Sequence, residues 1–227
     1  MTIFLKANWE NIIMANYEID PKILLPFLPK GVELDLYNGK AYIPWFGNFE
    51  EINLRFYVVR KEGDTLKRGV VFINETIPYP IVAWMANKLY KEHYTVVPTR
   101  HEITRDTKSQ KVNFEWLLNK KWNSIYVEAT VASKVMKSPS LEKFIFEHYY
   151  GYTKIDENNT EEYKLQHPSW RVNQVLEYKI DCDFKAMYGD AFEVLNDTEP
   201  EAVFIAEGSA VGIEWKRNRL NLDDERS

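Results

Sequence analysis

Hydrophobic and polar residues alternate along several segments of the chain, with the period of two that is typical of strands with one face in a core. The alternation is clearest over residues 51–58, where one face is apolar and the other polar. The apolar face is Ile52, Leu54, Phe56 and Val58, and the polar face is Glu51, Asn53, Arg55 and Tyr57. Looser alternation predicts strands at 69–77, 112–118, 125–133, 163–167, 172–184 and 201–215, with turns at 63–64 and 123–124.

Three segments place apolar residues at helical spacing instead, at 21–28, 80–90 and 139–149. Asp20 and Ser138 stand where N-caps belong, and each is followed by a proline at the first helical position. Gly151 stands where a left-handed C-cap belongs. This spacing predicts that His148 lies in the last turn of the third helix.

Together these elements predict an α+β fold that is mostly strand, with antiparallel sheets closed or nearly closed into a barrel and three or four flanking helices. No internal repeat and no linker rich in Gly, Ser or Pro divides the chain, so we expect one domain over residues 1–227. The polar tail at 222–227 is expected to fray.

Composition narrows the class of protein. The chain has 227 residues, 45% of them apolar and 15% aromatic, which excludes disordered and low-complexity classes. Its net charge of -5, from 29 basic and 34 acidic residues, argues against a nucleic-acid partner. The lone Cys182, the absence of a secretory signal pattern and the absence of a long apolar stretch predict a cytoplasmic protein with no membrane partner.

The polar face of the 51–58 segment is the first candidate site. Residues on one face of a strand follow each other at intervals of about 6.6–6.8 Å, so an acid, an amide, a guanidinium and a phenol would form one row. Arg55 would hold a carboxylate ligand, because its planar fork matches that group in two bonds. The alternative is a solvated sheet face on which Arg55 pairs with Glu51 or with a neighbouring strand.

Two histidine segments are further candidates. Glu147 and His148 would place a titratable ring at a helix C-terminus, where the helix dipole favours the charged imidazolium and burial opposes it. Pro168 favours an extended His167 at a strand end, with Trp170 as the floor of an apolar pocket. The structural alternatives are a histidine at the edge of the core and a strand-exit turn with a core tryptophan.

Other kinds of chemistry find little support in the sequence. The four histidines lack the close spacing of metal motifs, and there is no Gly-rich phosphate loop, so no metal and no cofactor are predicted. The adjacent Lys120 and Lys121 would allow one ammonium to lower the pKa of the other, as imine-forming catalysis requires. Their surroundings, however, are typical of an exposed turn.

Several motifs in fixed order resemble the domain-of-unknown-function family 2071. They are Ala15-Asn-Tyr-Glu-Ile-Asp20, Asn48-Phe-Glu-Glu-Ile-Asn-Leu-Arg-Phe-Tyr-Val58, Glu147-His-Tyr-Tyr-Gly-Tyr152 and His167-Pro-x-Trp170. The resemblance extends from about residue 8 to 217. The connection at 44–48 is shorter than is usual in that family.

The resemblance implies a fold similar to acetoacetate decarboxylase, a β-rich cone or barrel with a central cavity and flanking helices. It also implies that the polar motif positions matter, and these fall on Asn53, Arg55, Glu147, His148, Tyr150 and His167. The Schiff-base lysine of the decarboxylase has no counterpart in the corresponding surroundings, because Lys88 lies on a predicted helix and Lys120 in a predicted turn.

Residues and resemblance together predict a barrel cavity that binds a small acidic or partly apolar molecule. In the catalytic version of this hypothesis, Arg55 holds a carboxylate and His148 or His167 moves a proton. One alternative is a decarboxylase-like lyase acting on a small keto acid without a clear Schiff-base lysine. Another is a structural or interaction protein with a filled barrel. The oligomeric state stays open, with a homo-oligomer allowed.

Overall fold

A computed structural model of the chain describes residues 3–47, 51–214 and 217–220. The predicted tail at 222–227 and the end of the last predicted strand at residue 215 lie outside this part. The strands are β1 Ile3–Ile19, β2 Glu33–Leu34, β3 Ala41–Gly47, β4 Ile52–Glu62, β5 Thr65–Ile77, β6 Tyr94–Val96, β7 Thr99–Arg105, β8 Ser109–Leu118, β9 Lys121–Val135, β10 Tyr150–Lys154, β11 Thr160–Gln166, β12 Arg171–Asp181, β13 Ala202–Glu214 and β14 Asn218–Leu220. The helices are α1 Pro21–Leu24, α2 Pro80–Tyr90, α3 Leu141–Phe146 and α4 Phe184–Tyr188, with 3-10 helices at Leu25–Phe27 and Asp190–Asp197.

Within the described residues, seven strands close into a ring. Their order is β13-β1-β3-β4-β5-β10-β11, and β11 returns to pair with β13 through Leu165↔Ile213 and Gln166↔Gly212. The neighbours are antiparallel except for β5 and β10, which are parallel. The predicted β-dominated α+β fold with a nearly closed barrel is confirmed.

The ring has two apolar faces because each of its long strands is buried on both sides. One core cluster draws Met14, Phe46, Tyr57, Val70 and Leu165 from different strands of the ring, so it lies inside the barrel. We call this set, with the other members of the same cluster, the inner cluster. Burial on both sides explains why the strand sequences carry more hydrophobic residues than strict alternation requires.

The second core lies outside one wall of the barrel. From β13 the sheet continues through β12, β9 and β8 to β7, and this extension packs over the outer faces of β1, β3 and β4. Ile52, Leu54, Phe56 and Val58, the predicted apolar face, all belong to this outer cluster. Phe184 of α4 completes it, with its ring 5.5 Å from Trp45.

Two local predictions require correction. The third helix begins at Leu141 with Ser140 as its N-cap, and it ends at Phe146. His148 therefore lies beyond the helix, because the chain leaves it to pair with the barrel: Tyr149 donates its backbone N–H to Arg68 at 3.1 Å. Gly151 belongs to β10 and is not a helix cap.

The turn between β8 and β9 also lies earlier than predicted. Asn119 and Lys120 adopt positive φ angles of 48° and 66° and form the turn, whereas residues 123–124 belong to β9. Lys120 is exposed there, and Lys121 pairs with Asp181 at 2.8 Å. This placement supports the exposed-turn interpretation of the lysine pair.

Candidate functional site

The polar row of β4 lies inside the barrel. Asn53 is 0% exposed, Arg55 6% and Tyr57 1%. Tyr57 belongs to the inner cluster, and alternation along the strand puts Asn53 and Arg55 on the same face. The alternative of a solvated sheet face is therefore wrong for these residues. Glu51 stands at the start of this row, and its carboxylate accepts a hydrogen bond from the Asn53 side chain at 2.8 Å.

Arg55 is a buried cation without a carboxylate partner. Within the described part of the chain, no Asp or Glu oxygen lies within 4.0 Å of its guanidinium. Its contacts are weak ones, with the Met14 sulfur 3.7 Å away and the Phe46 and Phe72 rings 5.1 and 5.9 Å from Cζ. Ring contacts of this kind offset only part of the cost of removing a charge from water.

Among the residues that the structure describes, four buried polar atoms along this face have no hydrogen-bond partner. They are Asn53 Oδ1, Arg55 Nε, Tyr57 Oη and His148 Nδ1. Arg55 is close enough to Tyr57 to oppose the rise that burial causes in the pKa of the phenol, but no atom meets the geometry of a hydrogen bond to that hydroxyl. Two of the four atoms are acceptors, one is a donor and the hydroxyl is both. Such groups are rarely left unpaired in a packed interior.

His148 is fixed by stacking and by a hydrogen bond to a carboxylate that the sequence did not indicate. Its ring stacks on Tyr57 with centroids 4.2 Å apart, and its Nε2 lies 3.1 Å from Asp35 Oδ2. Asp35 Oδ2 also accepts a hydrogen bond from Arg68 Nε at 2.6 Å. Because the carboxylate can only accept, Nε2 carries the proton, and the unpaired Nδ1 is a lone-pair acceptor.

The pKa values of His148 and Asp35 are both lowered, but for different reasons. Burial lowers the pKa of His148 to about 4, against the opposing effect of Asp35. Burial raises the pKa of Asp35, but the hydrogen bonds from His148 and Arg68 outweigh it and lower that pKa overall. At neutral pH the site thus contains a neutral imidazole beside a carboxylate that Arg68 neutralises.

A buried glutamate and a tyrosine form an acid–phenol pair further along the barrel. Glu75 stands directly across the β4–β5 ladder from Asn53 and is 5% exposed. The Tyr94 hydroxyl donates to its Oε1 at 2.7 Å. Burial, and then the nearby Glu92 and Glu51 carboxylates, raise the pKa of Glu75 well above its usual range. Burial likewise raises the pKa of Glu51, against the effects of Asn53 and Arg55.

Sequence reasoning missed Glu75, Tyr94 and Asp35. Asp35 follows a strand of two residues, and no periodic pattern surrounds it. Tyr94 begins a strand of three residues that returns parallel to β5 after α2, and so short a strand leaves no periodic signal. Alternation along β5 groups Glu75 with Ile73 of the outer cluster, and the register shift in the β4–β5 ladder brings it opposite Asn53 instead, so no sequence signal pointed to it.

The remaining predicted site residues lie apart from the centre of the barrel. His167 is half-buried and stacks between Tyr149 and Trp170, with centroids 4.7 and 4.2 Å away. The His148 backbone lies close enough to act on the pKa of this ring, so the two histidines are neighbours in space. Burial lowers the pKa of His167. Trp170 is buried in the inner cluster and donates from Nε1 to Ser209 Oγ at 2.8 Å.

Two of the predicted residues do not join the polar row. Glu147 is bound on the surface side, where it accepts hydrogen bonds from Tyr149 Oη at 2.7 Å and Ser169 Oγ at 2.6 Å. Tyr150 packs against the outer cluster, and the Lys67 ammonium lies 5.5 Å from its ring centroid. The structure therefore gathers Glu51, Asn53, Arg55, Tyr57 and His148, with Glu75 added.

The described residues contain no cluster of three or more His, Cys, Asp or Glu side chains placed to hold a metal ion. Nor does any described helix have the length and hydrophobicity needed to cross a membrane.

The family follows from the sequence as a whole. The sequence pattern of DUF2071, described as an uncharacterized conserved protein, matches residues 6–44 and 42–210. This chain belongs to the DUF2071 family. The two matched stretches meet at residues 42–44. The polar row of β4 and both histidine motifs lie within the second stretch.

A relative of known sequence matches part of the chain. The uncharacterized protein YqjF of Bacillus subtilis is 25% identical over 120 residues, which is 45% of this chain and 48% of that protein. The match therefore spans about half the length of that relative.

Among solved structures, acetoacetate decarboxylase from Legionella pneumophila superposes with a TM-score of 0.60 at 8% identity, over 96% of this chain and 88% of that one. The enduracididine biosynthesis enzyme MppR complexed with pyruvate superposes with a TM-score of 0.58 at 10% identity, over 96% and 91%. At these identities the likeness is one of fold.

Proposed function

We propose that the inside of the barrel binds a small carboxylate, with Arg55 as the group that holds it. The observation that carries this proposal is the buried guanidinium without a carboxylate partner. Burying an unpaired ion costs several kcal/mol, and a bound carboxylate would remove that cost while forming a two-pronged hydrogen bond.

The other unpaired atoms fit the same ligand. Tyr57 Oη and Arg55 Nε offer donors to a carboxylate or a neighbouring carbonyl oxygen, and His148 Nδ1 and Asn53 Oδ1 accept from a hydroxyl or amine. The filled-barrel alternative explains the apolar inner cluster, but gives no reason for these atoms to be left unpaired. MppR, a fold neighbour, is described in complex with pyruvate, which is a small carboxylate of this kind.

Native mass spectrometry of the freshly purified protein tests this proposal. We expect a small acid to accompany the wild-type protein and to be absent from Arg55→Met. The same substitution at a surface arginine, Arg100→Met, serves as the control. The Arg100 guanidinium is largely exposed and donates hydrogen bonds to the Glu115 carboxylate at 2.7 and 2.8 Å. An acid retained by Arg55→Met would contradict the assignment of Arg55.

A second candidate function, proton transfer to or from the bound acid, is favoured by Glu75. Burial and neighbouring carboxylates raise the pKa of Glu75 well above its usual range, which favours the proton-donating form, and Glu75 lies across the ladder from Asn53. The test is exchange of the pyruvate methyl protons in D2O, followed by NMR. Catalysed exchange that Glu75→Gln slows tenfold or more would support a lyase-like enzyme. Exchange at the rate seen in buffer would contradict proton transfer and support binding only.

A further inference from the structure

The wall of the barrel has a gap on one edge of β5. That edge pairs with β10 through Gly69 and Val70, and with β6 from Glu75 onwards. Between these two ladders, no described strand pairs with residues 71–74 on this side. The gap lies beside Arg55, whose partner across the β4–β5 ladder is Phe72.

A cleft of about 320 Å³ opens at this gap. It is lined by apolar and aromatic side chains of the 3-10 helix Leu25–Phe27, β5 and β10, including Phe27 and Phe72, and on the remaining side by the polar Glu92, His93, Thr153 and Lys154. Its volume falls at the lower end of the range for small-molecule sites. At about 30 Å³ per water-sized group, it has room for roughly ten non-hydrogen atoms.

One aromatic residue contacts both the cleft and the buried cation. Phe72 lines the cleft and packs against the inner cluster, and its ring centroid lies 5.9 Å from Arg55 Cζ. Phe72 is half-buried, unlike Phe46, the other ring near Arg55, which is fully buried. The cleft and the guanidinium therefore share Phe72 as a neighbour.

A polar contact spans the same gap. Glu92 belongs to the connection between α2 and β6, and it accepts a hydrogen bond from Thr153 Oγ1 of β10 at 2.9 Å. Glu92 also lies 3.5 Å from Arg217 Nη1. This contact holds the short α2–β6 connection against the β10 side of the gap without a backbone ladder.

We propose that this gap is the entrance to the barrel and that the cleft holds the apolar tail of the ligand. The inference rests on the proposed function, because the head of the ligand is the carboxylate at Arg55. It assigns the ligand class: elongated monocarboxylates with an aliphatic or aromatic tail of up to about ten non-hydrogen atoms. Phe72 is then the specificity-determining residue, since the tail passes beside its ring.

The test is a series of straight-chain carboxylates from acetate to decanoate, titrated by NMR against the full chain. We expect affinity to rise about two- to fourfold per methylene and to level off near ten non-hydrogen atoms. Phe72→Trp narrows the passage, so it should weaken octanoate at least tenfold and leave acetate within twofold. Phe204→Trp is the matched control, because Phe204 packs on the same inner cluster but lies on β13, outside the cleft.

The outcomes separate this inference from the proposed function. If acetate and octanoate bind equally well in an Arg55-dependent manner, or if Phe72→Trp keeps the full length dependence, the entrance is wrong while the Arg55 site stands. If no carboxylate of any length binds in an Arg55-dependent manner, both are wrong. Should Phe72→Trp fail to fold, Phe27→Ala decides, because Phe27 lines the cleft from the 3-10 helix; we expect octanoate to bind about fivefold more weakly and acetate to bind unchanged.

Discussion

The His148 ring stacks on the Tyr57 ring inside the barrel, with centroids 4.2 Å apart and planes 26° from parallel. This contact joins the polar row of β4 to the segment that leaves α3, and Asp35 anchors its far side through Nε2. The stacked pair therefore presents one unpaired hydroxyl and one unpaired ring nitrogen to the inside of the barrel.

The first prediction concerns this histidine and pH. The pKa of His148 is about 4 in the folded chain and about 6.5 in an unfolded one, so the unfolded state takes up the proton first as pH falls. Stability contributed by the neutral ring is complete above pH 6.5 and is lost between there and pH 4. The free energy of unfolding, measured by chemical denaturation, should fall between pH 7 and pH 5 by roughly 2 kcal/mol more in the wild-type protein than in His148→Gln.

The comparison with His148→Gln is needed because other groups near the ring titrate as well. Asp35, Arg68 and Arg55 all act on the pKa of the ring, and Asp35 changes protonation only at lower pH, since its own pKa is lowered. Equal losses in the two proteins would mean that His148 is already solvated or charged in the folded state.

The second prediction concerns the cost of keeping Arg55. Because its guanidinium is buried and unpaired, Arg55→Met should leave the ligand-free protein as stable as wild type or raise its stability by about 1–3 kcal/mol. Arg68→Met should instead lower stability by about 1–3 kcal/mol, because it removes a hydrogen-bond partner of the Asp35 carboxylate. Urea denaturation of both variants, after dialysis against acid-free buffer, measures the difference. A large loss in Arg55→Met would show that the cation stabilises the fold rather than a ligand.

The third prediction concerns Gly151, where β10 passes close to a buried ring. A methyl group at Gly151 would overlap the Tyr163 ring, which is itself 6% exposed and lies under the Arg217 guanidinium. Gly151→Ala should therefore destabilise the protein by about 1–3 kcal/mol. Gly47→Ala, in another strand of the ring, would bring its methyl group only to 3.6 Å from Phe114 and should change stability less. Similar losses in the two variants would show that the Tyr163 ring yields freely.

The fourth prediction is that no imine forms with a keto acid. Imine formation needs a neutral lysine, which requires burial or a close cation. Lys121 is exposed and paired with Asp181, which raises the pKa of its ammonium, and Lys67 is held between Glu62 and Glu162. Incubation with acetoacetate and borohydride should leave the mass of the protein unchanged. An adduct mapped to one lysine would promote the decarboxylase alternative.

The sequence predicted the strand that carries the site but not the partners of that strand. Alternation over residues 51–58 separates the two faces of β4 correctly, because the outer face packs on the extension of the sheet and the inner face points into the barrel. Strand β1 was not predicted, because Asn11, with its positive φ, interrupts the alternation of apolar and polar residues and Asn16 is buried within the strand. Bulges and buried amides break the period on which strand prediction depends.

Contacts between distant segments could not be predicted at all. His148 has Asp35 as its partner, 113 residues away along the chain, whereas local spacing pointed to the helix dipole and Glu147. The third helix was predicted to be longer than it is, because pairing with Arg68 and Leu165 at the barrel wall takes over from Tyr149 onwards. Tertiary pairing of the backbone decides such boundaries, and local propensity does not.

The most direct test of Arg55 as the group that holds a carboxylate is isothermal titration calorimetry of one carboxylate against three proteins. With 3-phenylpropionate as the probe, we expect saturable binding to the wild-type protein and to Arg100→Met, and affinity at least a hundredfold weaker for Arg55→Met. That loss is expected when a charge-assisted, two-pronged contact worth roughly 3 kcal/mol disappears. Binding of equal strength to wild type and to Arg55→Met would contradict it, and so would a wild-type protein that binds no carboxylate at all.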